Sequence, residues 1–273
     1  MSSTPMSSTE VWEPERFGAN GSGSPAPAVT RAAAILGTLA MAGGEPMNLS
    51  ELARAVGIAK SSAANICAAL EDARLVQRRD TGYLLGRRTI ELGGAFLAGF
   101  DEVRTFYELC DRANVITENV VQLAILDGVD VLYVARYEGG SKFRLAAGIG
   151  DRFPAALTAT GQSLLAKLPT AEVIRRFRGV DIPQLTPGSL RTMSDLLTKL
   201  ETVRGQGYAF DDEGVHPGVV GLAVAVKPRN AGGTVYTLGA TVIKSLLTPE
   251  YKEQILRELR SVAEELGNPL VAS

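Results

Sequence analysis

The sequence predicts an α+β chain in two modules: a small helical part with a β-hairpin, then a larger sheet-and-helix part behind a connecting helix. Three observations predict it. Apolar residues recur at helical spacing over residues 29–73. From Val120 onward, apolar runs of strand length alternate with helical segments. The charge balance also changes sign: residues 27–90 carry eight Lys and Arg against five Asp and Glu, whereas residues 91–273 carry 19 against 22.

The elements follow in order. Residues 1–26 are rich in Ser, Gly, Pro and Ala and cannot bury enough apolar area to offset ordering, so they read as a flexible tail in which Trp12 and Phe17 are the large apolar exceptions. Residues 29–42 place Val29, Ala32, Ala33, Leu36 and Ala40 on one helical face, and Gly43-Gly44 ends the run. A second short helix starts near Ser50-Glu51, Gly57 breaks it, and Lys60–Ala73 forms a third. Leu52, Val56, Ile58, Ala63 and Ile66 supply a shared core, while Ala53 and Gly57 allow a tight crossing. Leu75–Arg79 and Tyr83–Leu85, joined by Asp80-Thr81-Gly82, read as a hairpin. Together these form a winged helix-turn-helix over residues 27–88. The pairs Arg78-Arg79 and Arg87-Arg88 flank the wing, which favours contact with a polyanion.

Residues 89–112 read as one helix, of which 89–104 is the linker between modules. Over residues 105–273, Val120–Leu126 and Val131–Tyr137 flank Asp127-Gly128 as a hairpin. Phe143–Ala147, Tyr208–Asp211, Val219–Val226 and Val235–Ile243 read as strands; Gly161–Leu168, Ala171–Phe177, Ser194–Gln206 and a last segment from Thr248-Pro249 to Leu266 read as helices. The expected arrangement is a sheet with helices on one face.

Several function classes are excluded. The single histidine, His216, and two cysteines, Cys67 and Cys110, cannot build a zinc or iron site, so neither a metal nor a cofactor is expected. No G-x-S-x-G elbow and no G-x-x-x-x-G-K-[ST] loop occurs, so no catalytic set is assigned. No apolar run reaches ~18 residues and no secretory leader pattern is present, which predicts a cytoplasmic protein with no membrane partner. Cys67, with no basic neighbour, reads as a small core residue rather than a redox switch.

The ordered motifs resemble the IclR (isocitrate lyase regulator) family of bacterial transcription factors over about residues 29–268. They are Arg31-Ala-Ala-Ala-Ile-Leu36, Leu49-Ser-Glu-Leu-Ala53, Gly57-Ile-Ala-Lys-Ser-Ser62, Gly82-Tyr-Leu-Leu-Gly86, Gly150-Asp-Arg-Phe-Pro154, Thr158-Ala-Thr-Gly161 with Leu164-Leu-Ala166, Arg204-Gly-Gln-Gly-Tyr208 with Asp211, and Gly218-Val219. No single motif is specific; their order and spacing are. The resemblance implies a winged helix-turn-helix, a linker helix, and a GAF- or profilin-like domain that binds a small-molecule effector, an organic acid or an aromatic compound. It also implies a homodimer or homotetramer on double-stranded operator DNA.

The candidate site residues fall in two groups. For DNA they are Lys60, Ser61 and Ser62 at the helix start, which suit phosphate; Asn65, which suits adenine N6 and N7 or else solvent; and Arg78 and Arg79 on the wing. The family usually carries Arg at the position of Asn65. For the effector, the resemblance points to Thr158, Thr160 and Gly161 at a helix start, Asp211 near a closing loop, and Gly221, Gly239 and Thr241 on facing strand ends; His216, on that loop, suits a ligand contact or else solvent. Gly221 stands where a Cys is common, Gly239-Ala240-Thr241 where two serines are common, and Gln162-Ser163 where Lys-Ala is common. Loss of the Cys and one Ser predicts a wider, less polar pocket.

Two other classes stay open on sequence alone. One is an effector-independent winged-helix DNA binder. The other is an enzyme using Asp211 and His216, against which stands the strand geometry: Asp211 and Asp212 point to opposite faces.

Overall fold

In a computed structural model, the structure describes residues 24–99, 101–139 and 147–268. Most of the tail, with Trp12 and Phe17, and the expected strand Phe143–Ala147 up to residue 146 lie outside them. The chain divides into two compact units between Gly99 and Phe100.

In the first unit, α1 (Pro27–Met41), α2 (Leu49–Val56) and α3 (Lys60–Asp72) precede the strands β1 (Val76–Arg79) and β2 (Gly82–Leu85). Asn48 caps α2 through the Ser50 and Glu51 amides, and Glu51 returns a bond to the Asn48 amide, so the chain enters this helix with its first N–H groups satisfied. Gly57, at φ +69°, then turns the backbone left-handed, a conformation that costs other residues about 1–2 kcal/mol. Ile35, Leu39, Leu52, Val56, Cys67, Leu70, Val76 and Tyr83 close one core. Gly82 lets the wing reach it: a side-chain carbon there would sit 2.4 Å from the Met47 carbonyl oxygen. That close approach permits the paired bonds between Met47 and Tyr83. Cys67 is fully buried, and burial raises its thiol pKa, as a core residue requires.

The single helix expected over residues 89–112 is instead two elements: α4 (Arg88–Ala98), and α5 (Asp101–Cys110), which belongs to the second unit. Gly93, Gly94 and Gly99 weaken a continuous helix at this point. In the second unit, β3 (Val120–Asp127), β4 (Asp130–Tyr137), β5 (Arg152–Pro154), β6 (Ala209–Asp212), β7 (Val219–Ala225) and β8 (Tyr236–Ile243) form one antiparallel sheet in the order β5-β4-β3-β8-β7-β6. The short strand β5 carries no period-2 apolar pattern and was not expected from sequence.

Helices cover both faces, not one. On one face lies α6 (Ala159–Leu165), with α7 (Thr170–Arg176) and α8 (Met193–Gln206) outside it. On the other, α9 (Pro249–Leu266) packs against β7 and β8, and α5 against α9 and β4. The physical reason is visible in β3, where Val120 through Ala124 are five consecutive buried residues rather than an alternation.

Candidate functional site

In the first unit, the exposed stripe of α3 runs Ser61, Asn65, Ala68, Asp72, at the i, i+4, i+7, i+11 spacing of one helical face. Asn65 is its one side chain with both amide donor and acceptor. Lys60 is exposed at the first turn and Ser62 is half-buried. Arg78 and Arg79 are exposed on β1, and the Arg78 guanidinium lies 5.8 Å from the Tyr83 ring centre, held on an aromatic face. The six candidate DNA contacts thus occupy the start and outer face of α3 and one strand of the wing.

The second unit holds a cavity of ≈ 60 Å³ between α6, the sheet and the loop after β6. Seven of the eight residues expected at an effector line it: Thr158, Thr160, Asp211, His216, Gly221, Gly239 and Thr241. Gly161 does not. A side-chain carbon at Gly161 would lie 2.3 Å from Ala155 Cα, so this glycine seats α6 against the preceding turn, and its N–H donates to the capping Thr158 Oγ1 at 3.0 Å.

The expected widening is not observed. A carbon at Gly239 would come within 2.5 Å of Thr160 Cγ2, and one at Gly221 within 3.1 Å of Ala159 Cβ. The side chains of α6 occupy the space that the glycines leave, so the exchange is compensated across the interface. The same packing explains the Arg204 motif: its guanidinium donates to the carbonyls of Ala166 and Leu168, both at 2.9 Å, and satisfies the end of α6.

The further lining residues that sequence reasoning missed include Gln122, Tyr133 and Phe153. The lone Gln in the apolar run Val120–Leu126 was a readable signal, because a buried amide needs partners. It donates to the Ala147 carbonyl at 2.9 Å and accepts from Thr241 Oγ1 at 3.0 Å. Tyr133 and Thr160 hydroxyls share a 2.9 Å bond, and burial pushes the phenol up to about 12.

The cavity's ionisable groups are strongly perturbed. Burial raises the Asp211 carboxyl to about 7; the Gly214 amide on its Oδ1, at 2.8 Å, acts the other way. Asp212, the next residue, is exposed and pairs with Lys244 at 2.7 Å, so the two carboxylates do face apart. The His216 ring stands edge-on to Phe153, burial lowers its pKa, and its Nε2 is buried with no hydrogen-bond partner. A hydrophobic chamber ringed by a few hydroxyls, one amide, one carboxyl and one imidazole has the chemistry to bind a small polar molecule. Among the described residues no cluster of three or more His, Cys, Asp or Glu is placed to hold a metal.

A helix-turn-helix with a wing, joined to a domain with such a chamber, defines a ligand-responsive transcriptional regulator. The model of the bacterial transcriptional regulator IclR C-terminal domain matches residues 103–268, and that of the IclR helix-turn-helix domain matches residues 28–80. The chain therefore belongs to the IclR family: it is a DNA-binding regulator with a C-terminal effector-binding domain.

The transcriptional regulator XynR of Escherichia coli is 28% identical over 234 residues, 82% of this chain and 90% of that protein. An IclR homologue from Microbacterium hydrocarbonoxydans, solved with 4-hydroxybenzoate, superposes with a TM-score of 0.73 over 90% of this chain and 100% of its own, at 20% identity. The inducer-binding domain of PobR from Acinetobacter, a double mutant solved with 3-hydroxybenzoic acid, is 29% identical with a TM-score of 0.53, covering 61% of this chain and 95% of that one. No helix among the described residues is long and apolar enough to cross a membrane.

Proposed function

We propose that the cavity is the effector site and that its ligand is a small organic acid or aromatic compound whose binding alters operator affinity. The observation that carries this reading is the chamber itself, where seven residues nominated from sequence meet, among them His216 with its unpartnered Nε2 and Asp211 with its raised carboxyl. Buried polar groups without partners are costly, about 1–3 kcal/mol each, and a ligand that satisfies them recovers that cost. The hydroxybenzoates in the two solved relatives fit a chamber of apolar wall and sparse polar groups.

Residues 27–88 serve as the DNA-binding module, with Lys60, Ser61, Ser62, Arg78 and Arg79 on phosphates and Asn65 on a base edge. Residues 89–104 link it to the effector domain, 105–273. The protein works in the cytoplasm as a homodimer or homotetramer, and exposed Ile90 and Leu92 on α4 offer apolar surface for assembly. It is a regulator rather than an enzyme.

Titration calorimetry of the full chain with 3-hydroxybenzoate and 4-hydroxybenzoate tests the site. Gly221→Leu, which forces a bulky side chain between β7 and the α6 wall of the chamber, should abolish the heat seen with wild type while thermal melting shows the domain still folded. Equal binding by both proteins would place the ligand elsewhere.

A further inference from the structure

The chamber wall holds Asp211, His216 and Tyr133 as its ionisable groups and, among the described residues, no Lys or Arg. An organic anion bound there would meet a carboxyl with no fixed positive charge to offset it. A β-bulge in β4 brings one within reach. Leu123 pairs with Ala135 but Ala124 pairs with Tyr133, so Val134 is an extra residue in that strand. In a regular strand Tyr133 and Arg136, three positions apart, would point to opposite faces. The bulge re-aims the second of them, a known use of such irregularities beside functional sites.

Three contacts fix the outcome. Tyr133 faces α6, where it bonds Thr160. Arg136 lies directly opposite Gln122, a chamber-lining residue, and directly paired residues share a face with Cβ atoms ~4.5–5.5 Å apart. The next residue, Tyr137, takes the other face, where its hydroxyl donates to Asp111 at 2.8 Å just beyond α5. The Arg136 side chain is only 18% exposed, and its Nε is buried with no partner. Its guanidinium holds Glu138 at 3.2 Å, but that carboxylate is 61% exposed and readily displaced.

We infer that Arg136 is the anion-binding end of the effector site, so the effector is an organic anion that points its charged group toward β4 and its hydrogen-bonding tail toward Asp211. The inference rests on the chamber being the effector site. Arg136 stands in the cross-strand row with Gln122 and Gly239, and Asp211 in the row with Gly221 and Thr241, on β6. Four strand spacings separate the β4 and β6 backbones, about 19 Å along the sheet at ~4.8 Å each, so the two side chains meet a ligand from opposite ends. The guanidinium fork matches a carboxylate with two parallel bonds, and its free Nε supplies one of them.

The test is calorimetry on the full chain with 3-hydroxybenzoate and with 3-hydroxybenzamide, which has the same shape and no charge. Wild type should bind the carboxylate about tenfold or more tightly than the amide, the worth of one charge-assisted bond. Arg136→Gln should erase that preference by weakening the carboxylate alone. Glu138→Gln, an exposed change that does not threaten folding, should tighten the carboxylate about twofold or more by removing its competitor. It carries the test by itself if thermal melting shows that Arg136→Gln is unfolded. Undiminished carboxylate binding in a folded Arg136→Gln overturns the inference, as does a Glu138→Gln protein with no gain. Binding of neither probe to wild type overturns the effector-site reading and this inference with it; equal binding of both probes to wild type overturns the inference alone.

Discussion

The proposed DNA-reading surface and the proposed effector chamber use polar side chains under opposite conditions. Lys60, Asn65, Arg78 and Arg79 stand exposed to water, where charges are screened. Asp211, His216 and Tyr133 stand in a chamber where burial is the largest cause of the shift in all three. On the proposed reading, the first site gains its affinity from many weak, salt-sensitive contacts, and the second from a few desolvated groups that a correct ligand must satisfy.

The largest effect separating the two should be that of salt. If six or more phosphates are neutralised by an assembled regulator, affinity for DNA falls ~10³-fold or more between roughly 50 and 200 mM salt, whereas effector affinity changes far less. Arg78→Ala or Arg79→Ala should weaken binding to upstream and scrambled DNA alike and flatten the salt slope, measured by fluorescence anisotropy. An unchanged slope would remove these arginines from the phosphate set. Next in size is Asn65→Ala, which should cost ~1–3 kcal/mol on one base pair per half-site and nothing on scrambled DNA. Equal losses on both DNAs would assign Asn65 to phosphate or solvent.

The effect specific to the chamber is one of pH. The Asp211 carboxyl titrates at about 7 in the folded protein and at ~3.9 in an unfolded chain, so across that window the folded state keeps a proton that the unfolded state has lost. Stability then falls as pH rises from about 4 to about 7 and levels off above. Asp211→Asn keeps an acceptor for the Gly214 amide and removes this slope. The variant should match wild type near pH 4 and exceed it by up to about 4 kcal/mol at pH 8 in thermal melts. Parallel pH profiles for the two proteins would show that the Asp211 carboxyl is not shifted.

Legibility differed between the same two regions. The helix-turn-helix was readable because its cues are local: the Gly57 break, the apolar spacing of Leu52, Val56 and Ile66, and a Gly-containing turn before Tyr83. The larger domain was readable as hairpin, strands and helices, but not as a sheet covered on both faces, because α9 and α6 reach it from distant parts of the chain. The chamber was nominated largely through family resemblance. Gln122 and Tyr133 escaped because only the pairing of β3 with β4 and β8 brings them there. Arg136 was hidden further, since a bulge breaks the period-2 rule on which facing is judged from sequence. The compensation of Gly239 by Thr160 is likewise a contact between remote residues and leaves no local trace.

The central claim is that one chain couples these two sites, and linkage between them is directly measurable. The full chain is titrated onto fluorescent upstream DNA by anisotropy, with and without saturating 3-hydroxybenzoate, for wild type and for Gly221→Leu. The account predicts that the ligand shifts the DNA affinity of wild type by about 5–150-fold, the usual range of coupling free energies, and leaves the filled-chamber variant unmoved. An identical DNA titration for wild type with and without the ligand, at a concentration where calorimetry shows the chamber occupied, would contradict it.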